Sequence, residues 1–356
     1  MFSIATAQWV MPNGRSAQRH RRPFWIAILI SLMLVSACAP AGTPGSTTTS
    51  TKPPPSPTAG QIALAAGTPT SGGVSPTRPV KHAMGETQVP AHPQRVVVLE
   101  EGPLNSALAL GVKPVGAVTA LEGAGFPAYL ADRTAGIQTV GTILQPNLET
   151  VVALQPDLIL GVKSRHEAIY PRLSRIAPTV FTETHRCCWR ESFMTDAEAL
   201  GKSGEARQVM DAYWQRLAEL KTKMGDRLGQ TRVSVVRFVP GSIYLYQKAS
   251  YIGTILADAG LPRPQSQDVD EFALQVGHEL IPQMGGDVIF VTTYGPPDKT
   301  QIDELRSHPL WQQLEAVRQG KVYTVPDEYW MVGLGIISAN RVIDDLFTYL
   351  AGNQTR

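Results

Sequence analysis

Cysteine is scarce in this chain, since only three of the 356 residues are cysteines. Two of them, Cys187 and Cys188, are adjacent in the sequence and cannot join distant segments. A disulfide between two neighbours is strained, which leaves either two reduced thiols or a vicinal disulfide. In both states the fold does not depend on a disulfide framework.

Motifs for catalysis and for metal binding are also missing. The sequence has no Gly-x-Ser-x-Gly, and both His166-Glu167 and His278-Glu279 lack the second histidine of a zinc-protease helix. The histidines beyond residue 80 do not have the spacing of metal ligands. We therefore expect no catalytic residues, no metal site and no covalent cofactor. These histidines are His82, His92, His166, His185, His278 and His308.

The apolar stretch Phe24 to Val35 is too short for a comfortable membrane span. It follows several arginines, which is the charge order of an export signal. The run Leu34 to Cys38 resembles a bacterial lipobox, in which the cysteine becomes the lipidated N-terminus. We therefore expect a signal peptide over residues 1–38 and an extracytoplasmic protein anchored to the cell membrane by lipid on Cys38. A chance cysteine behind an ordinary signal peptide is the alternative. The arginines are Arg15, Arg19, Arg21 and Arg22, and the last two leave twin-arginine export open.

A strong excess of one charge sign is absent from the mature chain. Removal of the leader takes away four arginines and no acids, which leaves 28 basic and 30 acidic residues. We see no basic face suited to nucleic acid and expect no nucleic-acid partner.

Large apolar side chains are rare just after the leader. Of the 41 residues from 39 to 79, 35 are Ala, Gly, Pro, Ser or Thr. This composition cannot bury enough apolar surface to offset its ordering entropy, so we expect a disordered tether over residues 39–85. A flexible chain of that length has a root-mean-square reach of roughly 35 Å, which lets the folded part search for a partner at the membrane.

The rest of the chain alternates short apolar runs with helical patterns, which is typical of α/β lobes with parallel sheets. The helix Gly204 to Leu228 separates two such series and places apolar residues on one face at spacings of three and four. We therefore expect an N-terminal lobe over residues 86–200, an interlobe helix over 201–229 and a C-terminal lobe over 230–356. The expected strands are residues 95–99, 114–118, 157–160, 179–181, 232–238, 243–246, 287–291 and 321–325.

One element occurs in both lobes. Glu149 lies eight residues before Asp157, and Glu279 lies eight residues before Asp287. In each case a glutamate at a helix start precedes a short helix, a turn and a buried strand. Asn147 is placed to cap the first helix. Each glutamate alone is explained by a favourable interaction with the helix dipole, but the repetition favours a shared role.

The order of these elements is similar to the periplasmic-binding-protein class that serves iron-siderophore ABC importers. The resemblance covers nearly all of residues 86–352. It rests on Pro93 to Leu99, Leu110 to Gly116, Asn147 to Glu149, Pro156 to Leu160, Ile176 to Val180, Gly253 to Leu256, Pro309 to Trp311 and Gly320 to Tyr323.

This resemblance implies two Rossmann-like lobes joined by a single long rigid α-helix, with the ligand in a shallow cleft between the lobes. It further implies a monomer in which one glutamate of each lobe docks onto the ABC permease dimer. The matching residues are Glu149 and Glu279. The second departs from the pattern, because Gly277-His278 stands where a serine or threonine often caps the helix.

The resemblance also implies that the ligand is a Fe(III)-siderophore complex, for which a cleft should combine aromatic walls with arginines. Arg237 interrupts a buried strand, and Arg165 follows the strand that ends near Leu160. The alternative is an internal salt bridge for Arg237 and a solvated surface position for Arg165. Aromatic and basic residues in loops complete the candidate site, with ordinary packing as their alternative: Trp189, Arg190, Tyr251, Tyr294 and Trp330.

The sequence does not fix the ligand. Relatives carry a basic contact after the strand ending at Val118, but no Lys or Arg lies between Thr119 and Tyr129, where Glu122 stands instead. A hydroxamate or mixed siderophore is therefore favoured over a highly anionic triscatecholate. Cobalamin or haem binding on the same fold, and a ligand-sensing lipoprotein, stay open as alternatives.

Overall fold

The computed structural model describes residues 76–184, 186–295 and 300–352. The leader, Cys38, the tether up to residue 75 and His185 lie outside the described residues, so the lipid anchor and the tether stay predictions. Within the described ranges, no helix combines the length and the apolarity that crossing a membrane requires.

An antiparallel hairpin opens the described chain. It pairs β1 (Thr77–His82) with β2 (Gly85–Pro90) and buries Val80 and Val89 against the N-terminal lobe. Residues 77–85 therefore fold, whereas their composition suggested the end of the tether. One buried valine in each strand is enough for a hairpin that covers an existing core. Strands with so few apolar residues are too polar to be recognised in the sequence.

The N-terminal lobe is built on five parallel strands in the order β5-β4-β3-β6-β7. The strands are β3 (Val96–Val98), β4 (Gly116–Thr119), β5 (Gln138–Thr142), β6 (Leu158–Val162) and β7 (Thr179–Thr182). All except β5 are buried along their whole length, which is why the sequence shows them as apolar runs. The helices are α1 (Glu101–Ala109), α2 (Ala131–Thr134), α3 (Leu148–Ala153), α4 (Lys163–His166), α5 (Tyr170–Leu173) and α6 (Trp189–Leu200), with 3₁₀ turns at Ala128–Leu130 and Glu167–Ile169.

The long interlobe helix is α7 (Ser203–Met224), which continues as a 3₁₀ helix over Gly225–Gln230. Its buried face carries Tyr213, whose hydroxyl donates to Asp258 Oδ2 in the C-terminal lobe at 2.8 Å. The guanidinium of Arg216 on the same helix donates to Asn340 Oδ1 at 2.7 Å. Trp214 lies at the border of the apolar face and is 43 % exposed. These hydrogen bonds attach α7 to the C-terminal lobe at successive turns.

The C-terminal lobe has a mixed sheet in the order β10-β9-β8-β11-β12. Strands β8, β11 and β12 are parallel, β9 is antiparallel to β8, and β10 is antiparallel to β9. The strands are β8 (Val233–Val239), β9 (Ser242–Tyr246), β10 (Ala273–Val276), β11 (Val288–Thr293) and β12 (Val322–Thr324). The helices are α8 (Tyr251–Asp258), α9 (Ile302–Ser307), α10 (Pro309–Gln312), α11 (Glu315–Arg318), α12 (Asp327–Trp330) and α13 (Ile336–Leu346), with a 3₁₀ helix at His278–Met284 and a π turn at Phe347–Ala351.

One continuous apolar core joins the inner faces of the two lobes. It includes Leu104 of α1, Phe193 of α6, Leu217 of α7 and Ile343 of α13. Separate smaller cores cover the outer face of each sheet. The lobes are therefore packed on each other through helices.

A carboxyl group is buried between two helices of the N-terminal lobe. Asp196 of α6 is fully buried beside Ser106 of α1. Burial raises the pKa of Asp196 to about 7, and the Ser106 hydroxyl offsets this only in part. Between pH ~4 and pH ~7 the unfolded carboxyl is ionised while the folded one keeps its proton, so the folded state binds more protons and stability falls as pH rises.

We expect the variant Asp196→Asn to reduce this pH dependence. The slope attributable to one such carboxyl is at most ~1.4 kcal/mol per pH unit, and urea unfolding at pH 5, 6 and 7 measures it. The slope should decrease rather than vanish, because Glu101 contributes in the same direction. Glu198→Gln, an exposed change on the same helix, is the control. An unchanged slope in Asp196→Asn contradicts the assignment.

Candidate ligand-binding cleft

The carboxyl ends of the N-terminal strands meet the C-terminal lobe at a small cavity. Glu100 follows β3, Val162 ends β6 and Thr182 ends β7, and Leu334 of the other lobe closes the space. This interlobe cavity measures about 10 Å³, enough for about one water molecule. A chelate that needs a pocket of roughly 300–1,000 Å³ must lie on its rim. The cavity is lined by Glu100, Gly102, Pro103, Val162, Thr182, Thr184, Trp189, Ser192 and Leu334.

Leu334 has an unusual backbone conformation at this cavity. Its φ is 51°, in the left-handed region that side chains other than glycine and asparagine rarely adopt. Its carbonyl oxygen lies so close to Gly102 that a β carbon there would approach it to 3.2 Å. Strain of this kind persists only where the surrounding structure holds it, and it is frequent at ligand sites.

Direct contacts fasten the lobes beside the cavity. The Ala128 amide donates to Glu328 Oε2 at 3.1 Å, and the Ser338 amide donates to Asn105 Oδ1 at 3.2 Å. The rings of Tyr129 and Tyr329 meet edge to face at 5.9 Å. The cleft is therefore narrow, with walls held at fixed positions.

Arg165 contacts Glu100, which lines the cavity, but does not line the cavity itself. It belongs to the short helix α4 rather than to a loop, and its Nε lies 2.6 Å from Glu100 Oε2. The Glu100 side chain is 1 % exposed and that of Arg165 is 13 % exposed. Burial raises the pKa of Glu100, and the attraction of Arg165 opposes that rise. The two side chains form a buried ion pair with the arginine nearer to solvent.

Glu101, the next residue, is a second buried acid. Burial, followed by repulsion from Glu100 and from Glu328 of the other lobe, raises its pKa to about 8. Glu101 is therefore mostly protonated at neutral pH. Sequence reasoning missed both acids because they begin α1, where glutamates usually stabilise the helix dipole in solvent.

Arg237 is buried at the carboxyl end of β8 and is paired internally. Its Nε and Nη2 donate to the two carboxylate oxygens of Asp327 at 2.7 and 2.5 Å, and its Nη1 donates to the Tyr246 hydroxyl at 2.8 Å. Burial would lower the pKa of Arg237, but Tyr246 and Asp327 outweigh this and raise it. The ring of Tyr294 lies 5.2 Å from the guanidinium. The internal salt bridge, which the sequence left as the alternative, is therefore present.

Arg186 connects the two lobes, and sequence reasoning missed it. Its guanidinium lies 5.1 Å from the centre of the Phe272 ring, and that ring packs edge to face on Tyr246 at 5.3 Å. A chain of contacts thus runs from Arg186 of the N-terminal lobe to Arg237 of the C-terminal lobe. Arg165 was predicted as a ligand contact because it follows a strand of this sheet. Arg186 follows β7 in the same way, so the same argument would have predicted it.

The four candidates Trp189, Arg190, Tyr251 and Trp330 were placed in loops, but the structure places each in a helix. Trp189 is buried and donates its indole N–H to Thr254 Oγ1 at 3.1 Å. The Tyr251 hydroxyl lies 2.6 Å from Ser338 Oγ, and Trp330 is fully buried with its N–H on Asp345. Arg190 pairs with Asp258 at 2.5 Å. These contacts support the walls of the cleft, and Trp189 alone of the four borders the cavity.

The adjacent residues Cys187 and Cys188 lie between Arg186 and Trp189 in the sequence. Both are free thiols, with Cys187 half-buried and Cys188 exposed. A hydrogen bond with Cys187 raises the pKa of Cys188 to about 11. Among the described residues, no group of three or more His, Cys, Asp or Glu side chains is placed to hold a metal ion.

Comparison with known proteins identifies the family. The model of the periplasmic binding protein family matches residues 96–329. The chain belongs to this family. A probable siderophore-binding lipoprotein of Bacillus subtilis is 39 % identical over 287 residues, which cover 77 % of this chain and 88 % of the relative. The achromobactin-binding periplasmic protein of Dickeya dadantii is 31 % identical over 262 residues, 71 % of this chain and 85 % of that protein.

A solved structure agrees with this assignment. SirA of Staphylococcus aureus complexed with staphyloferrin B matches with a TM-score of 0.70 and 34 % identity, covering 77 % of this chain and 98 % of SirA. The resemblance and the two-lobed α/β fold inferred from sequence motifs are thus confirmed.

In this periplasmic binding protein, Glu149 and Glu279 occupy matching positions. Both side chains are exposed. Glu149 follows β5 and Glu279 follows β10, and each of these strands lies at an edge of its sheet. Each is also parallel to the strand of its sheet that comes first along the chain, β3 or β8. Asp157 accepts hydrogen bonds from the amides of Gln94 and Arg95, and Asp287 accepts one from the amide of Arg232, so the aspartate of the repeated element bonds to the backbone in both lobes.

The two glutamates differ in local structure. Asn147 caps α3 by accepting from the Thr150 amide at 3.0 Å, as expected. Glu279 lies in a 3₁₀ helix that contains Pro282 and has no side-chain cap. Glu149 also borders a surface depression of about 460 Å³, with Leu148, Val152, Arg172, Arg175 and Ile176.

Proposed function

We propose that this protein captures a ferric siderophore outside the cytoplasm and delivers it to an ABC importer. The observation that supports this is the chain of contacts from Arg186 through Phe272 and Tyr246 to Arg237, together with Arg165, which pairs with Glu100 of the adjoining cavity wall. Guanidinium groups and aromatic rings from both lobes suit an anionic, partly aromatic chelate. The relatives named for siderophores support this ligand class.

The chelate is proposed to contact Arg165, Arg186, Arg237 and Tyr294 at the rim of the cavity. Two of the arginines already face a carboxylate, Glu100 or Asp327, so the net positive charge of the site is small. This moderate charge supports a hydroxamate or mixed-donor chelate over a highly anionic one. Iron would be held by the chelator alone, without protein ligands.

Delivery is proposed to use the lipid on Cys38, the tether and the two exposed glutamates. Glu149 and Glu279 would each meet a basic surface of one permease subunit, and the monomer would bind across the dimer. Charged contacts at such an interface fix orientation and speed the encounter. The placement of both glutamates at the start of a helix that follows an edge strand supports this arrangement.

Arg186→Ala tests the ligand site. Loss of a charge-assisted contact costs about 1.5–3 kcal/mol, so we expect affinity for the preferred ferric chelate to fall roughly tenfold to a hundredfold. Quenching of tryptophan fluorescence measures this, because Trp189 lies at the cavity. Arg175→Ala, an exposed change on the same lobe, is the control. Equal affinity in both variants would show that Arg186 does not contact the ligand. A response to cobalamin or haem alone would show that one of these is the ligand in place of a ferric chelate.

A further inference from the structure

Glu100 has a buried carboxylate that lies between Arg165, the arginine proposed to bind the ligand, and the start of α1. It accepts a hydrogen bond from the Glu101 amide at 3.2 Å and lies 2.6 Å from Arg165 Nε. Its side chain is 1 % exposed and forms part of the cavity wall between the lobes. Its charge is therefore compensated mainly by Arg165 and only weakly by water.

The other charged and titratable groups around Glu100 are mostly acidic. Glu101 is the next residue along the chain. Glu328 of α12, in the opposite lobe, repels Glu101 electrostatically. The Tyr129 hydroxyl, within hydrogen-bond distance of Asn105 Nδ2, is also close to Glu101. From α6 the cavity receives only the uncharged side chains of Trp189 and Ser192. The balance of charge at Glu100 thus depends on Arg165.

We propose that Glu100 takes up a proton when an anionic ferric chelate binds at Arg165, so that chelate affinity increases as the pH falls. This inference rests on the proposed function and deepens it, because it makes Glu100 a residue that selects ligands by charge. It requires no movement of the backbone. An uncharged chelate at the same place does not change the electrostatic environment of Glu100 and causes no uptake.

The sign follows from the electrostatics of the pair. In the free protein, burial raises the pKa of Glu100 and Arg165 partly offsets the rise. Negative charge on the chelate cancels the field of Arg165, whether or not the guanidinium turns toward the ligand, so the pKa of Glu100 rises further in the complex. Between the free and the bound pKa, the complex holds one more proton than the free protein. Affinity in that window falls up to tenfold for each unit of increasing pH.

Calorimetric titration in buffers of different ionisation enthalpy counts the protons. The probe is ferric citrate or whichever anionic ferric chelate of a panel binds most tightly, with correction for protonation of the chelate itself. We expect wild-type protein to take up as much as one proton per chelate at pH values between the free and the bound pKa of Glu100. Glu100→Gln should take up almost none and show nearly pH-independent affinity, while Glu198→Gln on α6 behaves as wild type.

The wild-type count alone is decisive if Glu100→Gln does not fold. Zero uptake or proton release with an anionic chelate overturns the role of Glu100, as does unchanged uptake in Glu100→Gln. Uptake with an uncharged ferric trihydroxamate equal to that with the anionic chelate also overturns it. Failure of every ferric chelate to bind overturns the proposed function, and this inference with it, whereas tight binding without uptake overturns only the inference.

Discussion

Replacement of Glu149 and Glu279 together by alanine is expected to reduce cellular uptake of the ferric chelate to background while leaving its binding unchanged. Both side chains are exposed at the edges of their sheets and contribute nothing to the cleft. Their loss therefore removes contacts to the permease without disturbing the ligand. Uptake of radioactive iron chelate by a deletion strain carrying the variant gene measures transport, and fluorescence quenching of the purified variant measures binding.

The matched control changes one exposed acid in each lobe away from these positions, Glu86→Ala with Glu315→Ala. It should transport at the wild-type rate. Each single docking variant should retain part of the uptake, since one charged contact still orients the complex. Normal transport in Glu149→Ala with Glu279→Ala contradicts the docking proposal. Intact binding without any uptake in the wild type points instead to a ligand-sensing lipoprotein.

Arg237→Ala is expected to lower the free energy of unfolding by about 3–5 kcal/mol, because it leaves the buried carboxylate of Asp327 without its partner. The side chains of both residues are only 9 % exposed, so water cannot replace the guanidinium fully. Tyr246 loses a hydrogen bond at the same time. Urea unfolding followed by circular dichroism measures the change.

A double variant separates the lost pair from the lost packing. Arg237→Met with Asp327→Leu removes both charges and keeps apolar volume, so it should recover most of the stability. It should still bind chelate poorly, since the guanidinium is gone. A loss below about 1 kcal/mol in Arg237→Ala is typical of solvent-exposed ion pairs and contradicts the buried pair described here.

The sequence predicted the parts of the fold that depend on continuous apolar runs. Strands such as Val96–Val98 and Val233–Val239 are buried on both faces, so their positions are visible without a partner. The end of α1 was also predictable, because Gly111 takes a φ of 73° just after the helix. Strands β1, β2, β5 and β10 were missed because they lie at sheet edges and contain no continuous apolar run.

The cleft was harder to predict, because burial and pairing depend on residues distant in the sequence. Arg237 was recognised as an unusual buried charge, but its partner Asp327 lies 90 positions away. Arg186 was overlooked in favour of the neighbouring Trp189, which the family resemblance suggested as a ligand contact but whose ring packs on Tyr213 and Tyr251. The acids Glu100 and Glu101 appear as ordinary helix-start residues until the opposite lobe covers them.

The most direct test of the central claim is equilibrium dialysis of residues 76–356 in which iron and chelator are quantified separately. We expect one ferric siderophore class to be retained at one iron and one chelator per protein, and Fe(III) without chelator not to be retained. Retention of iron alone would show that the protein itself supplies ligands. Retention of cobalamin or haem, with no ferric chelate retained, would contradict the proposed ligand while leaving the family and the fold unchanged.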